Sequence, residues 1–412
     1  MLNLHDTRTS FSEAVERAYR RIKKNTNRLN IGFSQSVKVN YRTGARNPDG
    51  SVIWLRDWDH NLILDGGLNS YGVRQWPNCF TYAAVGSGTN PVERDSGATT
   101  FTASAGTITA SAGFFEAGDT GRLFRADSGE QGYLTYVNTT SCTWTGPDFG
   151  AASPGTVWYV NRTALQTEIK RTNTYRAESG DNFTTWTGAT STLTMQRTFL
   201  FTAEVGAVTY REVGWSWGSG ATPLFGMDVF SGGGDTLAAG QQYLIAVQLI
   251  VTVSPTSPTT APNVGTGGWN TEGDISIGTV AISGGIAGVD TNGSSNGQNN
   301  KWLDASTTYG EIWVATAPFT LPTATTSPVT GPAGLVGGSI TNLTYTSGTF
   351  YRDKQSVFSV LQGNNGTIYG ICLGSGPGAT LGLAVKFDTP QAKDAEHTLT
   401  VTFRISWQRN FS

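Results

Sequence analysis

Beyond residue 30 the chain alternates apolar and polar residues, and this period of two constrains its fold more than any other feature. Residues 33–41 (FSQSVKVNY) and 52–58 (VIWLRDW) both follow the alternation, which is typical of strands that bury one face of an antiparallel sheet. Turn signals such as residues 47–50 (NPDG) and 65–67 (DGG) separate the runs. After Asp65 no stretch favours a helix. The pattern therefore predicts a mainly β protein.

Composition supports a folded chain of low charge. Only 14% of the 412 residues are charged, against about 25% in ordinary soluble domains. The 38% of hydrophobic residues, with 12 Trp among them, exclude a disordered chain, which would be poor in aromatic residues and highly charged. The longest apolar run, residues 243–253 (YLIAVQLIVTV), is far shorter than the roughly 18 residues of a membrane span. We therefore expect no membrane insertion, and the N-terminus shows no signal-peptide pattern.

Residues 1–30 are predicted to form a short basic helix that docks onto a partner. Residues 1–50 hold ten Lys and Arg against four acids, although the whole chain has a formal charge of −2. Apolar residues recur at helical spacing and cations surround them. Because a helix of about 14 residues is marginal alone, its apolar stripe needs a partner, either this chain's own sheet or another subunit. The candidate docking and oligomer-interface residues are Phe11, Val15, Tyr19, Arg20, Arg21, Ile22, Lys23 and Lys24.

The cations of this segment leave two further interpretations open. The seven between Arg8 and Arg28 would suit nucleic-acid phosphates, and a plain solvated helix face would carry the same residues. Arg and Lys cover most of the non-apolar face, as on a plain solvated helix, which counts against nucleic acid. Protein docking is the favoured interpretation, a solvated helix the second, and nucleic acid the least favoured.

The fold expected is a set of tandem antiparallel β-sandwich or jelly-roll-like domains, with a small inserted β-barrel and the short N-terminal helix. Residues 31–253 form the first sandwich, and short strands within about 101–162 form the insert. Residues 254–268 (SPTSPTTAPNVGTGG) lack the apolar residues of a core and suit a stiff linker. Residues 269–412 form the C-terminal sandwich, which closes with a strand over 397–407 (HTLTVTFRISW).

The most reactive-looking cluster is residues 57–60 (DWDH). On a strand, Asp57 and Asp59 would share one face and could hold a cation or act as an acid and base pair. A strand end rich in turn-forming acids explains the same residues without chemistry. Paired carboxylates of a glycosidase need no adjacency in sequence, so glycan cleavage stays open as an alternative. The interpretation favoured is that the chain is not an enzyme.

Metal and cofactor signatures are weak. The three His residues do not pair at metal-ligand spacing. Residues 290–297 (DTNGSSNG) place oxygen donors at every second position, but position 301 is Lys, where a calcium loop needs a bidentate acid. Cys79, Cys142 and Cys372 lie far apart without a CxxC pair, which is neither a disulfide framework nor a zinc motif. We expect no metal and no cofactor, and the redox state of the cysteines stays open.

Aromatic residues are the remaining candidates for ligand contact. Trp and Tyr stacked in shallow grooves are a common means of holding sugars, and four Trp residues lie among Gly and Ser. The alternative is that they fill sandwich cores and subunit interfaces. The candidate glycan-contact residues are Trp215, Trp217, Trp269 and Trp313.

Several turn-dominated motifs resemble, in the same order, a pattern found in tailed-bacteriophage virion proteins. In that pattern a D-GLN turn precedes a strand ending in VG-G-T-P, and the insert resembles a small β module of tail-fibre-like proteins. The motifs are residues 65–69 (DGGLN), 81–91 (TYAAVGSGTNP), 117–123 (AGDTGRL), 157–160 (VWYV), 211–215 (REVGW), 224–225 (LF) and 237–243 (LAAGQQY). The resemblance covers about half of the chain and implies no catalytic residues.

The resemblance implies a structural component of a bacteriophage virion, of the tail, collar or fibre type. Such a protein would dock by its N-terminal region, assemble as a symmetric homo-oligomer and contact other virion proteins and the host surface, host glycans included. A capsid-decoration or minor capsid protein would have the same composition, and its copy number would distinguish it. A polysaccharide-binding or depolymerising tail protein is the second alternative.

Overall fold

The structure, a computed structural model, confirms the mainly β class, with 54% of residues in strands. It describes residues 26–73, 78–187, 192–220, 223–255, 277–282, 311–318, 329–330, 334–362, 366–374, 380–393 and 398–411. Residues 1–25, which carry the predicted helix and all eight docking residues, lie outside this part of the chain.

The first elements build the centre of the molecule around one very long strand. These elements are β1 (Thr26–Arg46), β2 (Val52–Trp54), β3 (Asp59–His60), β4 (Leu62–Ile63), α1 (Asp65–Tyr71) and β5 (Tyr82–Gly86). In β1 the period of two is realised, since Val37, Val39 and Tyr41 are buried while the residues between them are half-buried.

The next eight strands pair only with one another, in a sheet of order β12-β7-β8-β11-β10-β9-β13-β6. They are β6 (Glu93–Asp95), β7 (Phe101–Ser104), β8 (Thr107–Ala110), β9 (Leu123–Ala126), β10 (Gln131–Asn138), β11 (Ser141–Trp144), β12 (Phe149–Ser153) and β13 (Gly155–Trp158), with a 3-10 turn at Ala117–Asp119. Their own aromatic core includes Phe101, Phe124 and Trp144. This is the part of the chain where the sequence predicts an insert.

The chain then returns to the central sheet. The strands after the insert are β14 (Glu168–Thr172), β15 (Phe183–Thr187), β16 (Thr192–Leu200), β17 (Val208–Tyr210), β18 (Glu212–Ser216), β19 (Leu224–Val229), β20 (Asp235–Leu237) and β21 (Gln242–Pro255). β21 pairs with β1 from Phe33↔Pro255 to Arg46↔Gln242. The first two residues of the predicted linker, 254 and 255, therefore belong to a strand.

The remaining described strands complete two sheets. They are β22 (Ile277–Ile282), β23 (Glu311–Ala315), β24 (Val329–Thr330), β25 (Leu335–Gly337), β26 (Ser339–Asn342), β27 (Tyr351–Phe358), β28 (Thr367–Gly374), β29 (Thr380–Ala392) and β30 (Thr398–Arg409). β22, β29, β28, β23 and β25 form one sheet, with β24 beside β29, while β26, β27 and β30 join the sheet of β1.

That central sheet has nine strands, in the order β15-β16-β21-β1-β30-β27-β26, with β2 and β3 also paired to β1. Its apolar face packs against the sheet β14-β5-β18-β19-β4 and against the sheet of β22 to β29, since residues of all three belong to one core. One ring pair across this core is Tyr41 with Trp215, at 5.5 Å between centroids. The domain boundaries drawn from the sequence stay a prediction, but strands from both predicted sandwiches share this sheet.

One strand pair departs from the antiparallel pattern. β1 and β30 run parallel, from Thr26↔Thr398 to Val37↔Arg409. A parallel pair needs a long crossover connection, and nearly the whole chain lies between these two strands. Alternation within a strand does not encode the direction of its neighbour, which is why the sequence predicted only antiparallel sheets.

A second departure is α1, at residues 65–71, where the sequence predicted a turn. Leu68 and Tyr71 of this helix are buried. A Cβ at Gly67 would lie 2.0 Å from the carbonyl oxygen of Phe225. The glycine therefore serves close approach to β19 and does not break the helix. Within the described residues, no helix is long and apolar enough to cross a membrane.

Candidate functional site

The edge ribbon, residues 51–60, lies along the C-terminal half of β1. β2 pairs with β1 at Gly44–Arg46 and β3 pairs at Asn40 and Tyr41, and no described strand pairs with their outer edge. Unlike the strands on the other side of β1, this ribbon exposes large apolar side chains. Ile53 is 51% exposed, Leu55 39% and Trp58 37%. Ile53 pairs with Ala45 and shares its face, whereas Trp58 stacks on Arg42, which lies with Gly44 and Trp54 on the opposite face. The ribbon therefore exposes apolar side chains on both faces, as interaction sites often do.

The Arg42 guanidinium stacks on both tryptophans of the ribbon, Trp54 and Trp58. The guanidinium carbon of Arg42 lies 3.6 Å from the ring centroid of Trp54 and 4.8 Å from that of Trp58, which is cation–π geometry. A Cβ at Gly44 would lie 3.0 Å from the Trp54 ring, so the missing side chain lets that indole pack closely over β1. The ribbon is thus held in place by stacking as well as by backbone pairing.

An acidic pocket of about 160 Å³ opens beside the ribbon. Its walls come from β1, the edge ribbon, the first strand of the insert and β19, so distant parts of the chain contribute its charged groups. The lining residues are Tyr41, Arg56, Asp59, His60, Leu62, Val92, Glu93, Trp158, Asp228, Val229, Phe230 and Ser231. Three carboxylates and four aromatic or imidazole rings therefore surround one small space.

Asp228 is the pocket acid that is held by two hydrogen bonds within the protein. Its Oδ2 accepts a hydrogen bond from the Tyr41 hydroxyl at 2.5 Å, and its Oδ1 accepts one from the Val229 amide at 2.7 Å. Burial raises the pKa of Asp228 to about 6, against the lowering effect of these two hydrogen bonds. Burial and the neighbouring Asp228 carboxylate likewise raise the pKa of Tyr41, so the tyrosine remains the proton donor.

Glu93 is the second acid with a strongly shifted pKa. Burial, followed by repulsion from Asp95, Asp228 and Asp59, raises the pKa of Glu93 to about 7. Among the described residues, neither Glu93 nor Asp228 forms an ion pair. Over the described part of the chain, the pocket therefore holds two acids with raised pKa values and no salt-bridge partner, and a perturbed pair of this kind in a pocket is a candidate functional site.

The one arginine of the pocket is already engaged. Arg56 Nε lies 2.6 Å from Oδ1 of Asp235, and the Arg56 guanidinium stacks on Phe230 at 4.2 Å. The other oxygen of Asp235 accepts hydrogen bonds from Thr43 at 2.6 Å and Tyr243 at 2.5 Å. Since Asp235 is a structural partner outside the pocket lining, Arg56 is fixed at the pocket wall with its charge compensated there.

This arrangement suits a positively charged organic group better than a metal ion. Carboxylates with raised pKa values gain most from an incoming cation, and aromatic faces attract ammonium and guanidinium groups. Over the described part of the chain, no three His, Cys, Asp or Glu side chains converge on one point closely enough to bind a metal. Asp59 lies partly in solvent with His60 Nδ1 3.4 Å from its Oδ1, so the mouth of the pocket remains polar.

Of the reactive-looking cluster, the structure brings only part into the pocket. Asp59 and His60 line it, whereas Asp57 does not. The chain bends at residues 55–56, where both backbone amides donate to the Thr43 carbonyl. This bend interrupts the strand alternation, so Asp59 meets Glu93 and Asp228 in the pocket.

Of the four tryptophans predicted to contact glycans, the structure buries two. Trp215 is fully buried and Trp313 is 8% exposed, because β18 and β23 lie inside their sheets with neighbours on both edges. Burial leaves neither ring free to stack on a sugar. Trp217 is half-buried against the core, and Trp269 lies outside the described residues.

The remaining predicted features have simple outcomes. Cys79 and Cys142 are both buried, and burial raises the pKa of the Cys142 thiol to about 11, which disfavours the reactive thiolate. Cys372 lies in β28. The loop at 290–297 is outside the described residues.

Sequence reasoning missed Glu93 and Asp228. A local signal exists for Asp228 only, since it stands between Met227 and Val229 in an otherwise apolar strand. An acid in such a position must be satisfied by partners or serve a site. Comparison with protein-family models, with curated proteins and with solved structures finds no match for this chain.

Proposed function

We propose that this chain is a structural protein of a tailed-bacteriophage particle, a tail, collar or fibre component that docks by its N-terminal region and assembles as a symmetric homo-oligomer. The observation that carries the proposal is the edge ribbon, which exposes the large apolar side chains of Ile53, Leu55 and Trp58. A protein of low charge with such a surface is suited to permanent contact with other proteins. The motifs between residues 65 and 243 support the phage assignment by resemblance.

The test is incorporation into particles. Because Thr26 already pairs with Thr398, the deletion that spares the fold removes residues 1–25 and no more. We expect the truncated protein to remain folded but to be absent from purified particles, as measured by quantitative mass spectrometry of those particles. Normal incorporation of the truncated protein would contradict docking by this region. The copy number in the same measurement separates a tail component from the capsid-decoration alternative.

A second candidate function is glycan binding, with or without cleavage, and the acidic pocket favours it. Glu93 and Asp228 are acids with raised pKa values beside the indole of Trp158, a combination of groups that carbohydrate-active sites use. Incubation with host-surface glycans should then show binding, and released fragments if cleavage occurs. The double variant Glu93→Gln, Asp228→Asn should lose both. Equal binding by that variant would remove the pocket from this role.

A further inference from the structure

The edge ribbon and the acidic pocket form one continuous surface, because Arg56, Asp59 and His60 belong to both. We call it the ribbon–pocket surface. It combines exposed apolar side chains with Glu93 and Asp228, which form no ion pair among the described residues. Asp57 and Asp59 add two exposed acids, near Arg42 and His60 respectively. A partner that fits it must therefore bring an apolar face and positive charge together.

One segment of this chain has that combination. Residues 8–24 hold six Lys and Arg residues against two Glu. The same residues carry an apolar stripe that includes Phe11, Tyr19 and Ile22. Complementary charge gives an interface its specificity and register, and the apolar stripe supplies the burial. The segment matches the ribbon–pocket surface in both respects.

The distance along β1 decides which copy supplies the segment. From Thr26 to Asn40, where β3 begins its pairing, the strand rises about 46 Å at about 3.3 Å per residue. A helix of 14 residues is about 21 Å long, and the four steps from Ile22 to Thr26 add about 13 Å. If the segment forms the predicted helix, its apolar stripe would therefore end about 12 Å short of the ribbon of its own chain.

We propose that the basic N-terminal segment of one copy, residues 8–24, docks on the ribbon–pocket surface of a second copy. The stripe covers Ile53 and Leu55, and cations of the segment face the pocket acids on the same side of the sheet as Tyr41. The inference rests on the proposed function only in taking the N-terminal region as the docking element. It names the partner as another copy of the same chain.

The first test is a charge exchange in the full chain. Reversal in the segment (Arg20→Glu, Arg21→Glu, Lys23→Glu, Lys24→Glu) and reversal on the surface (Asp57→Lys, Asp59→Lys) should each raise the dissociation constant of self-association at least tenfold. The combined variant should return to within about threefold of the wild type. Sedimentation velocity over a concentration series measures all four proteins. The exposed residues chosen on the surface leave the fold intact, which circular dichroism checks.

The matched control is Asp127→Lys, the same charge change at an exposed acid of the insert, and it should leave association unchanged. Wild-type association of the segment variant, or no recovery in the combined variant, would overturn the proposal. So would a full chain that stays monomeric at every concentration. If deletion of residues 1–25 abolishes particle incorporation while these charge variants associate normally, the particle role stands and the partner named here is wrong.

The second test locates the contact by zero-length crosslinking. A carbodiimide joins a Lys amine to a carboxylate only when the two groups touch. In a mixture of ¹⁴N-labelled and ¹⁵N-labelled full chains, we expect crosslinks from Lys23 or Lys24 to Asp57, Asp59 or Glu93 that combine the two labels. Crosslinks to these acids in which both peptides always carry the same label would show a contact within one chain and would overturn the proposal.

Discussion

Asp228 and Asp235 are seven residues apart, and each accepts a tyrosine hydroxyl at 2.5 Å, from Tyr41 and Tyr243 respectively. They differ in what else they meet. Asp235 also binds Thr43 and forms an ion pair with Arg56. Asp228 forms no ion pair among the described residues and faces the acidic pocket, where His60 interacts with it only at longer range.

The difference separates an acid that stabilises the fold from an acid that is available to a partner. Asp235 has donors on both oxygens, one of them charged, so its negative charge is fully compensated. Burial raises the pKa of Asp228 to about 6, which means that its charge is tolerated at a cost. A group kept at such a cost is expected where a ligand or partner supplies the compensation.

We expect the largest loss of stability from substitution of Asp235, whose charge the protein compensates. Asp235→Asn removes the negative charge beside Arg56. With its amide oxygen toward Arg56, its amide nitrogen faces the Tyr243 and Thr43 hydroxyls, which must then accept instead of donate. We expect the free energy of unfolding to fall by about 3 kcal/mol, the order measured when one member of a buried ion pair is removed. Urea denaturation at pH 7 followed by tryptophan fluorescence measures it.

The matched control is Asp228→Asn, in which the amide oxygen keeps the hydrogen bond from the Val229 amide and the amide nitrogen faces the Tyr41 hydroxyl, which can accept. Because this substitution also removes an uncompensated buried charge, its cost should stay within about 1 kcal/mol. Equal losses from the two variants would mean that the cation beside Asp235 does not distinguish the sites.

A third acid, Glu212, tests whether hydrogen bonds from backbone amides can stabilise a buried carboxylate without an ion pair. Glu212 is fully buried and accepts from the backbone amides of Gly88, Gln166 and Thr167 at 2.7–3.0 Å. Glu212→Gln turns one acceptor into a donor that faces an N–H group. We expect a loss of about 2 kcal/mol, measured by the same denaturation experiment. Glu212→Gln would refute this view if it proved neutral, since three amide donors would then contribute nothing to a buried charge.

The strand pattern could be predicted from the sequence because burial imposes it locally. Val37, Val39 and Tyr41 alternate with polar residues and all face the core. The parallel neighbour of β1 could not be predicted, since strand order depends on contacts between chain ends. The helix α1 was missed because Gly67 signals a turn, although here it makes room for Phe225.

The candidate site was predicted only at the edge ribbon. Asp59 and His60 were recognised because they are neighbours in sequence, which is the only kind of cluster that a sequence displays directly. Glu93 and Asp228 join them from other strands, and nothing in the sequence states that β6, β19 and the ribbon converge. The N-terminal docking residues and the virion role stay predictions.

The smallest effect, and the one that depends on pH, belongs to Glu93. Its pKa rises from 4.5 to about 7 on folding, so between these two values the native state holds more protons than the unfolded state. The free energy of unfolding therefore decreases as pH rises through this window. Asp95, Asp228 and Asp59 repel the carboxylate from the strands around it, and Arg56 and His60 are the other charged or titratable groups in the pocket wall apart from Tyr41.

Glu93→Gln removes this titration without a change of size. We expect the variant to be more stable than the wild type by about 1 kcal/mol at pH 8, because solvent screens part of the effect of a half-buried group. The two proteins should be equal below pH 4.5. Thermal unfolding from pH 4 to pH 8 measures the difference, and a constant offset across that range would show that Glu93 is not the titrating group. A gain confined to high pH would instead identify Glu93 as a charge that the isolated chain does not compensate.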